Sequence, residues 1–122
     1  MKALLTAVLI PIAAATIASA CRAESFMVGA GSNTCGQFAN YYAQNPEAAE
    51  VSFFTWAQGF MSSMNIKLAS GSAPTYRDLS GPIEIQKSHI RIYCNAHPLV
   101  PYFDAVDDLF GSLPQKPMPA KK

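Results

Sequence analysis

From Glu47 to Ser70 the chain runs without a proline, and Phe53, Ala57, Phe60, Met64 and Leu68 recur along it at spacings of four, three, four and four. That is the period of one helix face. Val51, Phe54 and Met61 widen the stripe. A helix this long in a chain of 122 residues is expected to be the central one and the most buried element. Trp56 flanks the stripe and is expected at its edge. Gly59 costs about 1 kcal/mol in a helix relative to alanine, which predicts compensation by close approach of another helix. Asn65 and Lys67 mark the wetter side, and Gly71 offers a C-cap.

Three further helices follow from local signals. Thr34-Cys35-Gly36-Gln37 is a capping box opening a helix to about Gln44, with Phe38, Tyr41 and Tyr42 as its apolar face. Asn45-Pro46 ends it. Gly71 to Gly81 reads as a loop. Ser80-Gly81-Pro82 starts the third helix with proline at its first position; Ile83, Gln86, Ile90, Tyr93, Cys94 and His97 share one side. The fourth runs from about Leu99 to Leu113, with Phe103, Val106, Phe110 and Leu113 inward and Asp104, Asp107 and Asp108 toward water. The fold class is therefore all-α: a small four-helix domain over 34–113. Residues 24–33 form an extended lead-in. The Pro- and Lys-rich residues 114–122 form a disordered tail.

The first twenty residues read differently. Lys2 precedes an uncharged apolar run from Ala3 to Ala18, closed by the small-residue site Ala18-Ser19-Ala20. This is the pattern of a cleaved export signal over residues 1–20. The run is too short for a membrane span and carries Pro11 in its middle. A cut as late as residue 23 would remove Cys21. Ala18-Ser19-Ala20-Cys21 also fits a loose lipobox, which makes Cys21 a candidate lipidation site. The mature protein is expected to be periplasmic or secreted, touching a membrane only through such an anchor.

Cysteine arithmetic bears on the same point. The chain has three cysteines, and an odd one is awkward in an oxidising compartment. Loss or lipidation of Cys21 leaves Cys35 and Cys94 to pair as a structural disulfide. It would close a loop of about 60 residues, worth about 4 kcal/mol in the chain-entropy account. The competing reading is metal: Cys94-x-x-His97 with Cys35 and His89 makes a Cys₂His₂ set. His89 lies on a different face of the helix from Cys94, which weighs against it, so neither metal nor cofactor is expected.

Charge and motifs exclude more than they assign. Removing Lys2 leaves 8 basic and 8 acidic residues, a balance with no footprint for nucleic acid. Gly29-x-Gly31 resembles part of a phosphate loop, but no strand precedes it and the third glycine is missing. Neither Gly-x-Ser-x-Gly nor His-Glu-x-x-His is present, and the carboxylates are scattered. A non-enzymatic protein with a protein partner or an unfolded client is expected. Phe53, Trp56, Phe60 and Met64 are the candidate binding surface.

The order Thr34-Cys35-x-x-Phe38, Trp56-Ala57-Gln58-Gly59-Phe60 with Asn65, then Tyr93-Cys94-Asn95-Ala96-His97-Pro98, resembles small exported bacterial proteins of the HdeA/HdeB-like fold. The resemblance spans about Gly29 to Leu113. It implies four helices with one disulfide and a periplasmic acid-stress holdase. Glu47, Glu50, Glu84, Asp104, Asp107 and Asp108 would be its switch groups, and the second-helix stripe its client surface. A partner-specific protein, such as a toxin immunity protein or an envelope accessory factor, is the alternative.

Overall fold

The computed structural model describes residues 26–119. The predicted export segment 1–20, the expected cleavage site and Cys21 lie outside the described residues. A 3₁₀ turn (Gly29–Ser32) leads into α1 (Cys35–Gln44) and α2 (Pro46–Ala69). Then follow β1 (Thr75–Arg77), α3 (Ile83–Ala96), α4 (Tyr102–Ser112) and β2 (Gln115–Pro117). Four helices thus carry the fold, and no helix among the described residues is long and apolar enough to cross a membrane.

The start of α1 accounts for each of its first free amides. Cys35 N–H donates to the Val100 carbonyl and Gly36 N–H to the Pro98 carbonyl, both at 2.8 Å. Gln37 N–H donates to Thr34 Oγ1 at 3.1 Å, and the Gln37 side chain accepts from Thr34 N–H at 2.8 Å. The predicted capping box is therefore complete. The segment before α4 supplies the rest, closing a helix end that would otherwise leave donors unpaired. The disulfide Cys35–Cys94 ties this corner to α3, with Cα atoms 4.7 Å apart and both residues buried. Such a bond is consistent with an oxidising compartment.

The core joins Phe38 of α1, Phe53, Phe54, Ala57 and Met61 of α2, Ile90 of α3, and α4. Phe53 meets Phe38 at 5.0 Å and Tyr102 at 4.9 Å between ring centroids. The most thoroughly buried helix is α4, not α2: five of its 11 residues are buried, against five of 24 in α2. The reason is length. The last turns of α2 project beyond the core, whereas α4 lies within it. Tyr102 and Leu109 are core residues that the spacing argument did not name.

Several expectations need correction. The lead-in is not wholly extended, because Gly29–Ser32 closes a 3₁₀ turn. Tyr41 and Val51 are more than half exposed, and Ile83 of α3 is half exposed. His97 is exposed, while Asp104 is only half-exposed. Pro82 and Pro101 occupy N-cap positions, so α3 begins at Ile83 and α4 at Tyr102. Ser70 rather than Gly71 caps α2. No atom lies within 4 Å of a Cβ placed on Gly59, so no helix approaches there.

The largest departure is at the C-terminus. Gln115–Pro117 is a strand, paired antiparallel with β1 in the register Thr75↔Pro117, Tyr76↔Lys116, Arg77↔Gln115. Gly71 to Gly81 is accordingly not all loop, and the tail is ordered through Pro119. Two three-residue strands with a proline in one carry no alternation to read; only their pairing defines them. Asp78 N–H to the Pro114 carbonyl (2.8 Å) and Met118 N–H to the Pro74 carbonyl (3.0 Å) extend the ribbon.

Candidate functional site

The four residues singled out on α2 separate. Phe53 is 5% exposed and belongs to the core. Trp56, Phe60 and Met64 are half-buried along one flank. Trp56 stacks on Phe60 at 5.4 Å with planes 9° apart, and Phe60 meets Phe103 of α4 edge-on at 5.3 Å. This aromatic ridge is the part of the predicted surface that the fold leaves accessible.

Its upper end is covered by the lead-in. The Trp56 indole donates to the Val28 carbonyl at 3.2 Å. A Cβ on Gly31 would lie 2.1 Å from the indole ring, and Gly29 adopts φ +78° beside it. Only glycine allows both the approach and the left-handed turn. Gly29-x-Gly31 is therefore a seat for the tryptophan, which explains a motif that looked like a phosphate-loop fragment.

Charge is organised between elements. Glu50 on α2 accepts from Arg91 on α3 and pairs with Lys87 at 3.1 Å, with side-chain exposures of 16%, 27% and 21%. Arg91 lies 5.6 Å over the Tyr42 ring and Lys87 5.8 Å over Phe54. The Glu50 carboxylate first, then Glu84, holds the Lys87 ammonium above its usual range. On α4, Asp108 meets His89 of α3 at 2.7 Å. Asp78 takes Lys116 and both the hydroxyl and N–H of Ser80, which together hold its carboxyl well below the usual range.

Of the six carboxylates expected as switch groups, Glu50 and Asp108 thus bridge helices. Among the described residues Glu84 pairs only with Lys87, one turn along its own helix. Glu47 and Asp104 sit in the first turns of α2 and α4, where they favour the helix dipole. Asp107 is exposed. Asp78 was missed: its partner is 38 residues away, and no local spacing signals it. Asn65, read as wet, is half-buried against β1.

The Cys₂His₂ set is not assembled. The disulfide holds both sulfurs. His89 turns to Asp108, and His97 Nδ1 to the Tyr93 carbonyl at 3.0 Å. Among the described residues no three His, Cys, Asp or Glu side chains converge as a metal site.

Comparison with protein-family models, curated proteins and solved structures found no match. The class defined by fold and site is a small helical protein with one disulfide and carboxylate contacts between its elements.

Proposed function

We propose that this is an exported, non-enzymatic holdase that loosens in acid and holds unfolding clients on the flank of α2, in the manner of the HdeA/HdeB-like proteins it resembles. One observation carries the reading: Glu50 supplies the counter-charge to both Lys87 and Arg91 across the α2–α3 seam. Protonating Glu50 leaves two cations in a half-buried site without it, and an unpaired charge there is costly. The seam then opens beside Phe54 and Ile90, and the ridge of Trp56, Phe60 and Met64 gains apolar neighbours for a client.

The test is suppression of aggregation of an unrelated client near pH 2–3, below ordinary carboxylate values. Glu50→Gln should move the onset of binding to higher pH. A protein that stays rigidly folded there and suppresses nothing overturns the reading.

Exposed Ile85, Ile92 and Leu99 on and just beyond α3 favour a second reading, a partner-specific interaction protein such as an immunity or envelope accessory factor. It predicts that Ile92→Ser abolishes capture of one defined partner at neutral pH.

A further inference from the structure

The lead-in, α1 and the first turns of α2 frame a pocket of about 360 Å³ that neither the aromatic ridge nor the charge pairs use. That is the size of a small-molecule site. Its walls combine the rings of Tyr41 and Phe53 with the side chains of Asn33, Gln44, Asn45 and Ser52 and with three alanines. None of these lining residues carries a charge. Phe53 is given over to the core, whereas Tyr41 is 53% exposed, so the pocket presents one open ring.

Two of the polar groups have fixed roles. Asn45 Oδ1 accepts from Ala48 N–H at 3.0 Å, which commits the oxygen to capping α2 and leaves the Nδ2 donors over. Asn33 is the reverse: its Nδ2 donates to the Ala30 and Gly29 carbonyls at 3.3 and 3.4 Å, and Oδ1 is left as an acceptor. The backbone of Asn33 is held as well, its carbonyl accepting from Tyr102 N–H at 2.7 Å. The pocket thus sets a donor from one element and an acceptor from another, and Gln44 and Ser52 add groups that both donate and accept. It is a poor seat for an anion. Pro46 has no N–H, the amides of Ala48 and Ala49 are taken by Asn45, and Glu47 stands in the same turn.

We propose that this pocket binds a neutral sugar ring, free or as one unit of an oligosaccharide. A pyranose has an apolar face of C–H groups, which suits a single open aromatic ring. Its rim of hydroxyls, each donating and accepting, suits amide and hydroxyl side chains drawn from three elements. A planar aromatic ligand would want a slot with two open faces. A peptide would be met by an exposed strand edge or a long apolar groove, and this pocket is neither. The inference does not depend on the holdase reading.

Titration of the full chain, followed by amide chemical shifts, tests it. The probes are glucose, N-acetylglucosamine and their β-1,4-linked disaccharides. At tens of millimolar a sugar should move the side-chain NH₂ signals of Asn45 and Gln44 and the backbone amides of Asn33 and Ser52, and inorganic phosphate should not. Tyr41→Ala should lower the affinity about tenfold, and Tyr41→Phe should retain most of it. Asn45→Asp keeps the helix cap but removes the Nδ2 donors, so affinity should fall about fivefold at an unchanged melting temperature. Ile92→Ser on α3 should leave binding intact. No shift at these residues with any of the sugars would overturn the proposal, as would indifference to both Tyr41→Ala and Asn45→Asp. Stronger binding here of triglycine or of indole would overturn it in favour of a peptide or a planar aromatic ligand.

Discussion

The side-chain amide of Asn65 pairs with the backbone of Arg77 in both directions, donating to its carbonyl at 2.8 Å and accepting from its N–H at 2.7 Å. The amide does for β1 what a third strand would do, on the edge away from β2. Asn65→Ala leaves two half-buried backbone groups without that partner. The cost is about 1–2 kcal/mol after the gain in helix propensity. Amide hydrogen exchange should show Arg77 losing protection before the helices do.

Gly31→Ala cannot keep Trp56 in place, because the new methyl would sit 2.1 Å from the indole. Displacing a packed ring costs about 1–3 kcal/mol. Tryptophan fluorescence should shift to the red in this variant, and the chain's single tryptophan makes the reading unambiguous. An unshifted spectrum would show that the lead-in does not hold the ring.

Gly59 and Gly111 stand in helices with open space where a Cβ would go. Nothing in the structure explains a glycine at either place. Alanine at each should therefore stabilise the fold by about 1 kcal/mol, seen as a raised midpoint in urea with unchanged slope.

Stability should fall at both ends of the pH scale. The folded-state value of Asp78 lies below its unfolded one, through Lys116 first and then Ser80. Its contribution is therefore present above the ordinary carboxylate value near 4 and is lost as pH falls toward the folded value. Asp78→Asn should weaken the ribbon at pH 7, and the gap from wild type should close in acid. Lys87 is raised by Glu50 and Glu84, and Tyr102 is raised by burial and then by the Glu50 charge. Those contributions hold at neutral pH and fade as pH rises past about 10. Alkaline titration followed at the tyrosinate band should show a late component that coincides with unfolding.

Replacing Cys35 and Cys94 by serine reopens a loop whose ends are 59 residues apart. The chain-entropy account sets the loss at about 4 kcal/mol, enough to unfold a marginal domain. Thermal melts of the oxidised and reduced wild type should differ by the same amount. Non-reducing mass spectrometry of the isolated protein should recover the Cys35–Cys94 linkage directly.

The candidate surface was only partly legible. Phe53 and Phe60 have the same chemistry and lie on the same predicted stripe, yet one is sealed under Phe38 and Tyr102 and the other is half open. Helical spacing says which residues share a side. It does not say how far along the helix the core extends. Carboxylates posed the same problem, since Glu50 and Glu47 differ by less than one turn but only Glu50 reaches the cations of α3.

By itself the sequence determined the four helices, the capping box at Thr34 and the pairing of Cys35 with Cys94. Each rests on signals within a few residues, or, for the cysteines, on the expectation that Cys21 takes no part and leaves two to join. The tertiary structure decided what local spacing cannot carry. It placed Gly29 and Gly31 under Trp56, set Asn65 against Arg77, paired Asp78 with Lys116, and turned part of a supposed tail into a strand. The partners in those contacts lie 12 to 42 residues apart in sequence. Nothing in the neighbourhood of either one announces the other; they meet because the fold lays the lead-in and β1 onto α2, and β2 onto β1.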